Sequence, residues 1–232
     1  MKLSIVIPFY NEENMIQKMY DALVAEVNKI TKAEFEIIFI NDGSKDRTFE
    51  KMLAIADSDS RVKYISFSRN FGKEAGTIAG LEYATGEAVI LMDGDLQHPP
   101  ALLPQMIEAY EEGYDVVSAR RTRTGEKPHR TFLAKHFYRL ANKMMDIELM
   151  DGVSEFRLFS RKAVRAILSL QEYNRFSKGI FSWIGFKEKV IEYENQVRTV
   201  GETKYSLKFS LNYAIQGILS FNDKPLRMCI NF

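Results

Sequence analysis

The first half of the sequence alternates short β-branched runs with helical patterns, and this alternation restricts the fold more than any other feature. Five runs have the character of buried strands: Leu3–Phe9, Phe35–Asn41, Val62–Phe67, Ala88–Asp93 and Asp115–Ala119. Four helical patterns lie between them: Asn14–Ile30, Asp46–Ala56, Lys73–Ala84 and Ala101–Glu111. Repetition of strand, helix and strand predicts a mostly parallel sheet with right-handed crossovers. The predicted fold class is therefore α/β, with a Rossmann-like sheet flanked by helices.

Composition narrows the class of protein further. With 232 residues and 46% hydrophobic content, the chain can bury the core of one large domain. A net charge of +1 gives no general attraction to nucleic acid. Cys229 is the only cysteine, which excludes an intrachain disulfide and favours a reducing compartment. The apolar run Leu3–Ile7 is too short for a signal peptide, and no stretch is long enough to predict a membrane span.

The fourth strand pattern ends in two carboxylates one residue apart, Asp93 and Asp95, followed by Gln97. Ligands of open α/β sheets collect at the carboxyl ends of the strands. Alternation points both carboxylates the same way, and we expect Gly94 to let a ligand approach the backbone. Two hard oxygen ligands suit Mg²⁺ or Mn²⁺ carrying phosphates. Taken alone, the same residues fit an acidic turn before the next helix equally well.

Two other strand ends carry polar residues. The first, Pro8–Glu12, contains no glycine and therefore matches neither a dinucleotide-binding fingerprint nor a phosphate-binding loop. Its aromatic and acidic side chains can instead stack on a base and bind a ribose. At the second strand end, Gly43 permits a tight turn and Asp42 is placed to accept hydrogen bonds from a base or ribose. Taken alone, this segment is a turn in which Ser44 caps the next helix; together, the three strand ends predict a nucleotide-binding crevice.

The second half changes character. Between Arg120 and Lys143, the sequence has eight basic residues and a single acid, Glu126. Such a distribution attracts phosphate or belongs to a solvated helix face. Thr131–Ile147 and Tyr205–Phe221 show amphipathic patterns, typical of core-facing helices or of helices in a membrane interface. Because the sequence stops within an apolar run, we expect it to be a truncated form of a longer protein.

Four motifs occur in order along the first half, namely Ile5–Glu12, Asn41–Ser44, Arg69–Lys73 and Asp93–Gln97. On these motifs the chain resembles the family-two glycosyltransferases of the GT-A type. More narrowly, it resembles the polyprenyl-phosphate group that contains dolichol-phosphate mannose synthases and bactoprenol glucosyltransferases. The narrower likeness rests on six later segments: Phe137–Leu140, Asp151-Gly152, Phe156–Leu158, Trp183–Phe186, Gly217–Phe221 and Pro225–Arg227.

The resemblance implies roles for individual residues. It implies that Asp95, with Gln97, binds the divalent cation and that Asp93 contacts ribose or the cation's water ligands. The residues that would contact the nucleotide are Pro8, Tyr10, Glu12, Asp42, Lys73 and Asp93. The acceptor phosphate would be held by Arg120, Arg130 and Arg157, although Arg157 could equally be a structural partner of Asp151. Asp151 or Glu155 would act as the base if the acceptor were a hydroxyl. Ser154-Glu155 stands where the family often has Gly-Asp, which lengthens the carboxylate by one methylene.

The resemblance also implies an activity and its location. We expect a single GT-A catalytic domain over residues 1–232, with a nucleotide-sugar half (1–120) and an acceptor half (121–232) carrying C-terminal amphipathic interface helices. The following transmembrane segment of the family is absent from the sequence. The implied reaction is an inverting, Mg²⁺- or Mn²⁺-dependent transfer of a hexose from a nucleotide-sugar to a polyprenyl phosphate, with UDP-glucose favoured. It would occur on an anionic membrane surface, at the cytoplasmic face, without nucleic acid; homo-oligomerisation stays open.

Two other functions fit parts of this pattern. A soluble GT-A transferase that adds sugar to a polysaccharide hydroxyl shares the first half and has no need of the basic, amphipathic second half. A catalytically silent membrane scaffold with the same fold is the other alternative. The intact set of Asp93, Asp95 and Gln97 argues against the scaffold.

Overall fold

The computed structural model describes residues 1–122, 142, 150–172, 175–194 and 220–221. Arg130, the segment Thr131–Ile147 apart from Asn142, and the segment Tyr205–Phe221 apart from its last two residues lie outside this part, as does most of the basic region. Within the described ranges, no helix combines the length and the apolar character needed to cross a bilayer.

The strands of the described residues join one sheet in the order β3-β2-β1-β4-β6-β5-β7. All of them run parallel except β6, which lies antiparallel between β4 and β5. The fold-class prediction, a mostly parallel α/β sheet, is thereby confirmed. The strands are β1 (Lys2–Phe9), β2 (Glu34–Asn41), β3 (Val62–Ser66), β4 (Ala88–Leu91), β5 (Val116–Arg121), β6 (Val153–Ser160) and β7 (Glu188–Tyr193).

The helices follow the predicted alternation in the first half and continue in the second. A 3₁₀ turn at Pro100–Leu102 leads into the fourth helix. The helices are α1 (Ile16–Val27), α2 (Thr48–Ser58), α3 (Lys73–Tyr83), α4 (Leu103–Glu111), α5 (Arg161–Ser169) and α6 (Ser177–Trp183).

Strands β6 and β7 have no counterpart in the sequence prediction. Buried Arg157 and partly buried Glu155 interrupt the apolar pattern of β6, and the edge strand β7 is only partly buried. Both strands belong to the predicted acceptor half, yet they hydrogen-bond into the same sheet as the strands of the first half.

Apolar side chains cover both faces of the sheet, as buried parallel strands require. On one face, Ile5, Phe39 and Ile90 belong to the cluster that α1, α2 and α4 complete. On the other face, Val6 and Val89 pack in the cluster that α3, α5 and α6 complete. Because β1 to β4 run parallel, their carboxyl ends meet at one edge of the sheet. The predicted site residues Tyr10, Asp42 and Asp93 follow these strand ends.

The capping role predicted for Ser44 is wrong. Helix α2 begins at Thr48, four residues later, and Asp46 Oδ1 accepts the Thr48 N–H at 3.0 Å. The Ser44 hydroxyl instead accepts a hydrogen bond from the backbone N–H of Asn11 at 3.0 Å. It ties the loop after β1 to the loop after β2.

Candidate active site

A cavity of about 560 Å³ opens where β1, β2 and β3 end. Aromatic rings form part of its wall, and side chains with N–H or O–H donors form much of the rest. Among the residues that the structure describes, no aspartate or glutamate lines it. The lining residues are Tyr10, Asn41, Gly43, Ser44, Lys45, Phe49, Ser66, Phe67, Ser68, Arg69 and Asn70.

Close packing of two loops shapes this cavity. Gly43 has φ +63°, and a Cβ built there would lie 2.2 Å from the carbonyl carbon of Arg69. Only glycine fits such a position, because a side chain would meet both backbone strain and a clash. Asn41 Nδ2 donates to Ser66 Oγ at 2.9 Å, which joins the ends of β2 and β3. The loops are thus held together before any ligand is present.

Asp42, which the resemblance assigns to the base or ribose, lies beside the residues that line the cavity and is not one of them. It is buried, and its carboxylate accepts the backbone N–H of Phe71 at 2.7 Å and that of Gly72 at 3.0 Å. Burial raises the pKa of Asp42, although the two N–H donors act against this shift. Asp42 therefore positions the loop that leads into α3.

The other residues predicted to contact the nucleoside, Pro8, Tyr10 and Glu12, lie in different surroundings. Tyr10 lines the cavity. Pro8 lies on the face of β1 that meets α3, because a Cβ added at Gly76 would lie 3.5 Å from Pro8 Cβ. The backbone N–H of Glu12 donates to Thr48 Oγ1 at 2.8 Å, and Glu12 does not line the cavity. Of these three residues, the structure brings only Tyr10 to the cavity.

Lys73, at the first turn of α3, joins two carboxylates from different strands. Its Nζ lies 2.5 Å from Asp93 Oδ1 and 2.6 Å from Glu155 Oε2, with a third of the side chain exposed (33%). Burial alone would lower the pKa of Lys73, but the charges of Asp93 and Glu155 outweigh it and raise that pKa well above its usual value. The pKa of Asp93 is lowered: burial opposes the shift, and the charges of Lys73 and His98 produce it.

Sequence reasoning missed the place of His98, which directly follows the predicted metal ligand Gln97. The buried imidazole packs near the rings of Phe156 and Tyr193, with centroids at 5.8 and 6.1 Å. Its Nδ1 lies 3.7 Å from Asp93 Oδ2 and has no hydrogen-bond partner within the described part of the chain. Burial lowers the pKa of His98, against the opposing charges of Asp93 and Asp95. The only sequence signal was its adjacency to the acidic motif.

The turn that carries Asp95 and Gln97 is tightly folded. The backbone N–H of Gln97 donates to Asp95 Oδ1 at 3.1 Å, and Leu96 adopts a left-handed φ of +58°. A Cβ at Gly94 would lie 2.3 Å from the Phe9 ring. The glycine therefore admits the ring of Phe9 on the side where another residue would place its side chain.

The donor set of this turn fits a divalent cation that arrives with a phosphate ligand. Among the residues that the structure describes, no three His, Cys, Asp or Glu side chains converge as a preformed metal site. Mg²⁺ commonly takes only one or two carboxylates and completes its shell with water and substrate phosphates. The partly exposed Asp95 and Gln97 supply hard oxygen atoms of this kind.

The predicted acceptor residues differ in their surroundings. Arg120 Nε donates to Glu192 Oε1 at 3.0 Å at the half-exposed end of β5. Arg157 is buried, and its Nη1 has no hydrogen-bond partner among the residues that the structure describes. This Nη1 lies 3.5 Å from Glu188 Oε1, whereas the sequence suggested Asp151 as the acidic partner. Burial lowers the pKa of Arg157. Asp151 lies in the partly exposed turn before β6.

Comparison with known proteins adds to this geometry. The family model described as glycosyl transferase family 2 matches residues 4–168. The protein CsbB of Bacillus subtilis (strain 168), whose name marks it as a candidate glycosyltransferase, is 51% identical over 227 residues, covering 98% of this chain and 69% of CsbB. The bactoprenol glucosyl transferase of Shigella phage SfX is 43% identical over 229 residues, covering 98% of this chain and 75% of its own length.

Two solved structures show the same fold at low sequence identity. Mannosyl-3-phosphoglycerate synthase from Rubrobacter xylanophilus has a TM-score of 0.63 at 17% identity, covering 100% of this chain and 76% of that one. Glucosyl-3-phosphoglycerate synthase from Mycobacterium tuberculosis, in complex with Mn²⁺ and UDP-glucose, has a TM-score of 0.58 at 18% identity, covering 94% and 76%.

The sheet order, the polar residues at the ends of β1 to β4 and the family match over residues 4–168 all indicate the same family and fold. The chain belongs to glycosyl transferase family 2 and is a glycosyltransferase with the GT-A fold.

Proposed function

We propose that this glycosyltransferase transfers a hexose, with inversion, from a UDP-sugar to a polyprenyl phosphate at the cytoplasmic face of a membrane. UDP-glucose is the favoured donor. The observation that carries the proposal is the arrangement at the ends of β1 to β4. The cavity lined by Tyr10 and Arg69 adjoins the loop that leads to Lys73, and Lys73 contacts Asp93 of the carboxylate turn after β4.

The cavity suits a nucleotide base, and the relatives support uracil as that base. Among the described residues, Tyr10 and Phe49 offer ring faces for stacking, and Lys45, Arg69 and Asn70 supply hydrogen-bond donors for the carbonyl oxygens of a base. The glucosyl transferase name of the phage relative, and the UDP-glucose bound to the mycobacterial enzyme, support a UDP-glucose donor.

Asp95 and Gln97 would hold Mg²⁺ or Mn²⁺ beside the donor diphosphate. When bound, the cation neutralises negative charge on the nucleoside diphosphate leaving group. The Mn²⁺ in the mycobacterial structure supports a divalent cation without choosing between the two metals.

The acceptor side of the proposal rests on the bactoprenol glucosyl transferase name of relatives 43% identical to this chain. A phosphate with a second pKa of about 6 is largely dianionic at neutral pH, so its oxygen can attack the anomeric carbon without a general base. Glu155 is already paired with Lys73, consistent with a role other than proton abstraction. Arg120, which is half-exposed, and Arg130 are the proposed contacts of the acceptor phosphate, whereas Arg157 supports the site from the interior.

We also propose that residues 1–232 form one catalytic domain whose second half faces the acceptor. Strands β6 and β7 support this because they continue the sheet of the nucleotide half. The basic region after Arg120 would bring this half to an anionic lipid surface.

A transfer assay tests the proposal. Labelled UDP-glucose, UDP-N-acetylglucosamine and GDP-mannose are each incubated with the protein, undecaprenyl phosphate, detergent and Mg²⁺ or Mn²⁺, then extracted with organic solvent. We expect label in the organic phase from UDP-glucose, and its loss in Asp95→Ala.

Other outcomes separate the alternatives. Label from GDP-mannose alone would contradict UDP-glucose as the donor. Label transferred only to a soluble glycan, with no sedimentation of the protein on anionic liposomes, would replace the proposal with the soluble transferase.

A further inference from the structure

Lys73 lies between two carboxylates, where a bound metal cation would otherwise offset their negative charge. Its ammonium group lies within 2.6 Å of oxygens from both Asp93 and Glu155. These two carboxylates therefore lie close to each other, with Lys73 as the cation between them. Without Lys73, two neighbouring negative charges with little solvent around them would be left unbalanced, which is costly.

The protein fixes Lys73 from both sides. The residue before it, Gly72, has φ +93°, and its N–H is held by Asp42 at 3.0 Å. The residue after it, Glu74, accepts hydrogen bonds from the backbone N–H of Ser177 at 3.2 Å and from the Ser177 hydroxyl. Helix α3 therefore starts at a point anchored to the end of β2 and to the start of α6.

The same loop belongs to the cavity that we assign to the nucleoside. Arg69 and Asn70 line the cavity, Phe71 and Gly72 bind the carboxylate of Asp42, and Lys73 follows directly. The guanidinium of Arg69 lies 3.9 Å from the centre of the Phe71 ring, which connects the cavity wall to this loop. A nucleotide in the cavity thus contacts the segment that positions the ammonium group.

We propose that Lys73 makes binding of the divalent cation depend on binding of the nucleotide. In the donor-free enzyme its single positive charge offsets part of the negative charge of Asp93 and Glu155 and repels a second cation, so a divalent cation two residues away at Asp95 binds weakly. The donor diphosphate brings negative charge that both the Lys73 ammonium group and the divalent cation can meet. Lys73 then contacts the donor phosphate while the metal binds. This inference rests on the proposed function and adds a coupling role for Lys73, beyond its predicted nearness to the donor.

Binding measurements test the coupling directly. The affinity for Mn²⁺ is measured by titration calorimetry, with and without UDP, for the wild type, Lys73→Met and the control Lys162→Met. Lys162 is also paired with a carboxylate, that of Asp115 at 2.8 Å, at the opposite edge of the sheet. For the wild type and Lys162→Met we expect weak Mn²⁺ binding that UDP strengthens strongly.

For Lys73→Met we expect binding of Mn²⁺ alone to tighten by about tenfold or more, because the two carboxylates lose their resident cation. The strengthening by UDP should shrink by a similar factor, because the variant lacks the ammonium group that weakens Mn²⁺ binding in the absence of UDP. If Lys73→Met does not fold, Lys73→Gln keeps hydrogen-bond donors without the charge and should show the same change. Unchanged or weaker Mn²⁺ binding in the folded variant would overturn the inference.

The outcome is separable from that of the proposed function, because the titration contains no acceptor. Absence of the coupling in the wild type, with transfer to undecaprenyl phosphate intact, would overturn only the role of Lys73. A wild-type coupling that Lys73→Met reduces, without such transfer, would support the role of Lys73 and contradict only the proposed acceptor.

Discussion

Glu155 and Asp95 both place carboxylates near the crevice, but their contacts give them different roles. Glu155 is bound to Lys73, whereas Asp95 accepts the Gln97 N–H within a partly exposed turn. The charge of Glu155 is therefore balanced by the protein itself. In the function that we propose, Asp95 binds the divalent cation that arrives with the donor.

Substitution of the two residues distinguishes a phosphate acceptor from a hydroxyl acceptor. Because a phosphate nucleophile needs no base, Glu155→Gln should keep its kcat within about tenfold of the wild type, whereas a general base contributes about 10²- to 10⁴-fold. Asp95→Ala should lose at least about 100-fold, since it removes a ligand of the proposed cation. Steady-state rates in the transfer assay measure both, and an equal collapse of the two variants would contradict the phosphate mechanism.

Helix α3 connects the fold to the site, because its first residue is Lys73 and its body packs on the sheet. Two glycines one turn apart in this helix have different surroundings. A Cβ at Gly80 would lie 2.1 Å from Val6 Cγ1, whereas the nearest atoms to a Cβ at Gly76 lie at 3.5 Å. Close approach of the helix to β1 therefore depends on Gly80 in particular.

This contrast gives a matched pair of variants with opposite expected signs. Gly80→Ala should lower the free energy of unfolding by about 1–3 kcal/mol, because the added methyl overpacks the interface with Val6. Gly76→Ala should raise it by about 0.5–1 kcal/mol, because alanine favours the helix and the site has room. Urea denaturation measures both changes. A stabilised Gly80→Ala variant would show that α3 packs on β1 differently.

For the molecule as a whole, a buried carboxylate far from the site joins several parts of the sheet. Glu36 on β2 accepts hydrogen bonds from Ser4 of β1 at 2.6 Å, from Lys63 of β3 at 2.8 Å, and from the backbone and hydroxyl of Thr85 before β4. Burial opposes ionisation of Glu36, but these hydrogen bonds outweigh it and hold its pKa far below the usual value.

The depressed pKa makes global stability depend on pH. A glutamate with a folded-state pKa below its unfolded value of about 4.3 contributes stability above that pH and loses it as pH falls towards the folded-state pKa. Glu36→Gln should therefore cost about 2–3 kcal/mol at pH 7, and its deficit should shrink below about pH 4.

Urea denaturation between pH 3 and pH 7 measures this deficit. The control is Glu34→Gln, the same chemical change at an exposed position of the same strand, which should stay within about 0.5 kcal/mol of the wild type. A deficit of Glu36→Gln that stays constant with pH would refute the role assigned to the ionised carboxylate.

The sequence by itself determined the class of fold and the strand ends that carry the chemistry. Local patterns suffice for this, since alternating runs define strands and parallel strands place their carboxyl ends together. They predicted β1 to β5 and placed Tyr10, Asp93 and Asp95 at one edge.

Only the tertiary structure decided which partner each of these side chains meets, because those partners come from distant segments. The antiparallel register of β6 pairs Leu91 with Arg157, and its continuation brings Glu155 opposite Asp93. The same packing buried Arg157 and turned Asp42 towards the loop before α3. A local pattern carries no information about such a register, which depends on the whole sheet closing around its core.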